Sequence, residues 1–265
     1  SPFAFTGNRF EFRAVGSSAN CAGAMTTLNA AVAEQLIIFK KDLDAELGKG
    51  KDLHVAVMDT LKPVIASVLD VVCFDGNGYE DAWKQEAARR GLDVQTGVPE
   101  MIKEFLSPAS VQMFTTTGVY TLHELQARNE VKWETYSKKI QIEAKVMSRM
   151  AVNHILPAAL EYKKRLLKEL ALNKEVFGNL EGCSIELTTV GRLNECLAEL
   201  QKQVPVMKEA MERAGSQDSG YAKASAYNEV ARLLYALRKP IDELEEIVDN
   251  RLWPLPKYRE LLFIS

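Results

Sequence analysis

Two matched apolar seams near the C-terminal end constrain this chain more than any other feature. Leu193, Leu197, Leu200, Val204, Met207 and Met211 are spaced 4, 3, 4, 3, 4, and Val230, Leu234, Leu237, Ile241, Leu244 and Val248 repeat the spacing. Residues three and four apart share one helix face, so each set predicts a helix with a continuous apolar stripe. Two equal stripes predict a helical hairpin. The polar run Gly215-Ser-Gln-Asp-Ser-Gly220 between them supplies the turn. Pro205 and Pro240 each remove an amide and crowd the preceding turn, so departures from regular helix are expected there.

Upstream, the helical period recurs in weaker form. A helix from about residue 20 to Leu47 is predicted by the stripe Leu28, Val32, Leu36, Phe39, Leu43 and Leu47, with Gly48 and Gly50 ending it. A second starts at an Asp52 N-cap and turns Leu53, Val57, Leu61, Val64, Val68 and Val72 inward, with Pro63 expected to kink or divide it. Asp75-Gly-Asn-Gly78 is a strong turn, followed by a short helix closing at Gly91 and small helices initiated near Pro99 and Pro108. Thr121 and Glu124 have capping-box spacing and open a long helix that continues past Pro157 with a bend; Gly178 and Gly182 mark the next break. After the second seam, 253–258 reads as extended and leads into a short apolar helix through Phe263.

Only the first residues read as strand. In Asn8-Arg-Phe-Glu-Phe-Arg13, polar and aromatic residues alternate with a period of two, which places Phe10 and Phe12 on one face and Arg9, Glu11 and Arg13 on the other. The fold class is therefore mainly α with a short β segment.

Composition narrows the function classes. Across 265 residues, 47% are hydrophobic and 26% charged, an ordinary globular balance that excludes disordered and low-complexity classes. Net charge is −3 and no long basic run occurs, so nucleic-acid and anionic-membrane partners are not expected. The most apolar long stretch, from Val55 to Phe74, contains Asp59, Lys62, Pro63 and Asp70 and is not read as a membrane span. Cysteines at 21, 73, 183 and 196 form no C-x-x-C pair, which points to reduced thiols and a cytoplasmic setting. The chain opens Ser-Pro-Phe-Ala-Phe with neither Met nor a signal-peptide pattern, and reads as the middle of a longer protein.

Among the motifs, Arg9, Glu11 and Arg13 are the sharpest. A carboxylate between two guanidiniums can hold a divalent cation while the arginines neutralise phosphate oxygens; the same residues can equally form an exposed ion-pair ladder. Asp75, Asn77 and Glu86 approach a calcium loop, but Glu80 stands where the loop's sharp turn needs glycine. His54, His123 and His154 lack zinc spacing, and neither a P-loop nor a dinucleotide fingerprint occurs.

At this point the residues resemble a known family. Ser1-Pro-Phe-Ala-Phe-Thr-Gly-Asn-Arg-Phe-Glu-Phe-Arg-Ala-Val-Gly-Ser-Ser18 is similar to the late catalytic strand of glutamine synthetase, specifically the large type III enzymes. Further similarities run in order through Phe74-Asp-Gly-Asn-Gly-Tyr79, Tyr136-Ser-Lys-Lys-Ile-Gln-Ile-Glu-Ala144, Ile155-Leu-Pro-Ala158 and Trp253-Pro-Leu-Pro-Lys-Tyr-Arg259. The resemblance implies an ATP-dependent ligase that makes glutamine from glutamate and ammonia through γ-glutamyl phosphate. It implies Glu11 as a ligand of Mg²⁺ or Mn²⁺, Arg9 as a contact to nucleotide phosphate, and Arg13 as a contact to substrate and the transferring phosphoryl group.

It also implies an architecture. Residues 1–150 would be the C-terminal part of the catalytic domain and 151–265 a helical extension carrying the hairpin, in a parent that forms a double-ring homo-oligomer. The family's Asn-Pro-Tyr pattern after the strand is replaced here by Gly16-Ser-Ser-Ala-Asn20. The N-terminal domain, most of the catalytic sheet and the other metal ligands would precede Ser1, so the fragment alone is expected to be inactive. The competing expectation is a non-catalytic helical module whose hairpin mediates assembly.

Overall fold

The computed structural model describes residues 3–5, 9–12, 20–74, 76–78 and 80–262, and all statements below concern them. Two short strands come first. β1 (Phe3–Phe5) and β2 (Phe10–Phe12) pair antiparallel in the register Phe3↔Phe12, Ala4↔Glu11 and Phe5↔Phe10. The remainder is helical. The chain forms two compact units, 1–128 and 129–265.

In the first unit, α1 (Ala22–Leu47) and α2 (Leu53–Val72) pack against each other. Asp52 caps α2 as its position predicts, its side chain accepting from the His54 amide at 2.9 Å. Gly50 supplies the left-handed turn between the helices, at φ 80°. Between them Lys51 Nζ bridges Glu46 and Asp59 at 2.7 and 2.6 Å.

Two expectations about this pair are corrected. α2 runs unbroken through Pro63 from Leu53 to Val72. The large apolar residues of the two predicted stripes are not fully buried: only Ala30 of α1 and Ala56 and Thr60 of α2 are, while Leu28, Phe39, Leu43, Leu47, Val57 and Leu61 are half-buried and Val32, Leu36, Leu53, Val64, Val68 and Val72 are exposed. Small residues mark the buried positions, and within the unit nothing described covers the larger ones. By length and hydropathy α1 is also the one described helix apolar enough to cross a membrane, although Asn29, Glu34 and Gln35 interrupt that stretch.

Short helices complete the unit: α3 (Asp81–Arg89), α4 (Val98–Lys103), a single 3₁₀ turn (Glu104–Leu106) and α5 (Pro108–Thr116). Prolines begin α4 and α5 because their missing amide lies where no intrahelical acceptor exists. A small core gathers Ala30, Met113, Phe114 and Leu125, with Tyr120 tilted against Phe114.

α6 (Leu122–Met150) begins at the predicted capping box. The Thr121 amide donates to Glu124 Oε2 at 2.8 Å, and the Glu124 amide donates to Thr121 Oγ1 at 3.3 Å. A π-helical turn (Ala151–Ile155) then joins α6 to α7 (Leu156–Phe177). Pro157 has no amide and its ring would crowd the carbonyl one turn back. The widened turn removes that conflict, with the Leu156 amide donating to Ala151 O instead. Gly178 closes α7 in the left-handed conformation, at φ 72°.

α8 (Ser184–Gly215) and α9 (Gly220–Ile247) form the hairpin that the seams predict. Leu193, Leu200, Val204, Met207, Val230, Leu237, Ile241, Leu244 and Val248 are buried in one core, and Leu197, Met211 and Leu234 pack at its margin. Ser219 caps α9 by accepting from the Ala222 amide at 3.1 Å. Both helices continue through their prolines without a break. α10 (Tyr258–Leu262) follows an irregular stretch of turn and bend in which Trp253 is buried and Lys257 Nζ donates to Glu245 O at 2.6 Å.

Candidate functional site

The three residues singled out in the sequence meet the structure unequally. Arg9 is exposed in a bend just before β2, and Glu11 occupies a strand position opposite Ala4, so Phe10–Phe12 of the alternating segment form a strand. The side chain of Glu11 and all of Arg13 lie outside the described residues.

The turn after α2 is built for packing. Phe74 stacks on Trp83 with ring centroids 3.9 Å apart, and Arg90 lies 5.4 Å from the centre of the Trp83 ring. Arg90 also donates to Cys73 O at 2.8 Å. Gly76 takes φ 147°, and a side chain there would come within 2.8 Å of the Phe74 ring. Glu86, the twelfth position of the calcium-loop pattern, is held at 2.6 Å by both Arg89 and Arg90. Those two guanidiniums keep its carboxyl down at about 2. The group is committed to a local ion pair. Asn77 likewise donates to Glu80 at 3.0 Å within the turn.

Among the described residues no three His, Cys, Asp or Glu side chains gather into a metal-ligating cluster. The histidines are dispersed, His54 on α2, His123 on α6 and His154 in the π turn. Cys21 and Cys73 are exposed, whereas Cys183 and Cys196 are buried, and none is bonded to another. Burial, with Glu243 nearby, raises the Cys196 thiol to about 11, a state that suppresses nucleophilic chemistry.

The segments that carry the family resemblance in the helical unit position one helix against another. Tyr136 donates its hydroxyl to Asn228 Oδ1 at 2.8 Å, and Gln141 donates to the Tyr227 hydroxyl at 2.8 Å, which pins α6 to α9. Ile155 ends the π turn in the core.

One constellation escapes sequence reasoning. Lys145, Ser148, Arg149 and Val152 from α6 and the π turn, Asn153, and Lys208 and Met211 from α8 surround a cavity of about 250 Å³. Spacing of three and four along α6 was visible in the sequence, but only the packing of α6 beside α8 adds Lys208.

Comparison with known proteins now bears on the class. A family model described as the glutamine synthetase C-terminal domain matches residues 56–174. A glutamine synthetase of Bacteroides fragilis is 43% identical over 99% of this chain and 36% of its own length. One from Butyrivibrio fibrisolvens is 32% identical over 99% of this chain and 37% of its own. Taken with the mostly helical fold, these matches place the class: residues 56–174 match the glutamine synthetase C-terminal domain, and the chain is similar along nearly its whole length to part of glutamine synthetases.

The type III resemblance is supported as well. The type-3 glutamine synthetase of Dictyostelium discoideum is 30% identical along 100% of this chain and 36% of its own length. The chain thus spans a little over a third of the length of the curated relatives it matches.

Proposed function

We propose that this chain is the C-terminal part of a cytoplasmic glutamate–ammonia ligase and contributes one strand of its active site. The observation that carries the reading is end-to-end similarity to enzymes named glutamine synthetase, 43% identical in one case. In the reaction the γ-phosphoryl group of ATP passes to a side-chain carboxylate oxygen of glutamate, releasing ADP. Ammonia then attacks the carbonyl carbon of γ-glutamyl phosphate, phosphate leaves, and a proton is lost to give glutamine.

Residue roles follow from charge. Phosphoryl transfer is accelerated chiefly by positioned cations that offset charge on the phosphoryl oxygens. Arg9 contacts nucleotide phosphate, and Arg13 contacts glutamate and the transferring group. Glu11 offers one carboxylate oxygen donor to Mg²⁺ or Mn²⁺, which when bound neutralises the nucleotide phosphates. Mg²⁺ prefers octahedral oxygen coordination, so one carboxylate does not make a metal centre, and the residues described here do not complete it. The remaining ligands belong to the larger part of the enzyme, which makes this chain inactive by itself.

The bare faces of α1 and α2 support the same reading. Val32, Leu36, Leu53, Val64, Val68 and Val72 are exposed on adjoining helices, a larger apolar area than scattered surface residues explain. In the parent they are covered by the catalytic body, with residues 1–150 on the catalytic side, residues 151–265 as the extension, and a double-ring assembly of copies. The assembly-module alternative draws on the α8–α9 seams, but these are used within the chain to bury each other. Glu11→Ala in the full-length enzyme tests the assignment. Glutamine formation falls at least a hundredfold while the oligomer persists; near-normal turnover with unchanged metal dependence removes Glu11 from the site.

A further inference from the structure

We infer that α7 of one copy of this chain docks, as an apolar stripe edged with lysines, in an acid-rimmed groove between α6 and α9 of a second copy. The groove has a volume of about 600 Å³ and is lined by Ile142, Val146 and Met150 of α6, by Ile241 of α9, and by Trp253 and Leu255 beyond it. Ile142 and Val146 are 61% and 48% exposed, so within residues 129–265 nothing described fills the space. Charge stands at its edges. Glu143 on the α6 side and Asp242 and Glu245 on the α9 side are opposed by one cation, Arg238, which pairs with Asp242 at 3.0 Å. Among the described residues the Glu143 and Glu245 carboxylates form no ion pair. An apolar trough bordered by unpaired carboxylates suits a helix that presents an apolar stripe with cations beside it.

α7 carries such a face. Leu160, Leu167 and Ala171 share one side of the helix by their spacing, with Lys163 on one flank of the stripe and Lys164 and Lys168 on the other. Leu160 and Leu167 are each 45% exposed. Lys164 is 3.5 Å from Glu161, whereas Lys163 and Lys168 form no ion pair among the described residues. Cations flank the stripe on both sides, as carboxylates flank the groove on both sides.

The stripe cannot enter the groove of its own chain. α6 and α7 are joined through the π turn with no loop, so the helix that supplies one wall runs on into α7 and does not fold back beside it. A chain that displays both halves of a complementary contact, and cannot close them on itself, closes them between copies. Because the two surfaces differ, the contact is head-to-tail, the kind that repeats around a ring. The inference rests on the assembly of copies proposed above and names its surfaces. It does not depend on the roles of Arg9, Glu11 and Arg13, since both surfaces lie within residues 129–265.

Sedimentation velocity of the chain over a range of concentrations tests the proposal. The expected result is reversible self-association. Lys163→Glu with Lys168→Glu weakens it about tenfold or more, because carboxylates then face carboxylates, and Glu143→Lys with Glu245→Lys does the same. Mixing the two double variants restores association, since each offers the charge that the other now lacks. Leu167→Gln, at an exposed position, weakens association and leaves Tm of the dilute chain unchanged; a lowered Tm with association intact assigns the stripe to packing within the chain and overturns the proposal. A chain that is monomeric throughout, association unchanged in both double variants, or a mixture no more associated than its components also overturns it. None of these outcomes alters the intact mass of the parent, on which the ligase reading is judged.

Discussion

Glu46 and Glu86 show how single carboxylates tie the first unit together. Glu46 is held down at about 2 by hydrogen bonds from Lys49 and then Lys51, and Glu86 at about 2 by Arg89 and then Arg90, against an ordinary value near 4.5. A carboxyl depressed in the folded state stabilises the fold above its unfolded value and loses that contribution as the medium is acidified through the folded value. Helix content and Tm of the chain should therefore fall progressively between about pH 4.5 and 2, and the Glu46→Gln, Glu86→Gln double variant should show a flatter decline over that window. An equally steep decline in the double variant places acid sensitivity elsewhere. The pairing of Glu86 with its neighbours at positions 89 and 90 was legible as helix spacing, but that Arg90 also reaches Cys73 O and the Trp83 ring depends on a turn the sequence does not specify.

At the scale of elements, period was a reliable guide wherever an apolar face had a partner within the chain. The 4, 3, 4, 3, 4 seams became a buried hairpin, and the Thr121 to Glu124 box became a capped helix start. The same reasoning misplaced the large residues of α1 and α2, because periodicity finds a face without saying what lies over it. The π turn was legible only as a bend near Pro157, since local sequence does not distinguish a kink from an inserted residue. Energetics follow burial. Leu237 is completely buried between the hairpin helices, so Leu237→Ala should cost about 2–5 kcal/mol by chemical denaturation. Leu234→Asp, at the margin of the same core, puts a carboxylate against apolar surface and should lower Tm or release the hairpin. Unchanged melting in both variants contradicts the packing described for α8 and α9.

For the whole molecule, the resemblance to type III glutamine synthetases was readable from ordered motifs, and end-to-end identities of 43, 32 and 30% agree with it. The proposed site was less legible: Glu11 is a single carboxylate, whereas a metal centre requires several ligands that distant parts of a chain bring together. The hollow between α6 and α8 was invisible for a related reason, because Lys208 joins Lys145 and Arg149 only through helix packing. Exposed apolar faces on α1 and α2, together with matches that cover a little over a third of each relative, make the proposal testable by size. The most direct measurement is the denatured intact mass of the protein isolated from its native source with an antibody against the α8–α9 hairpin. The account predicts a mass far above 29.6 kDa; a mass near 29.6 kDa contradicts it.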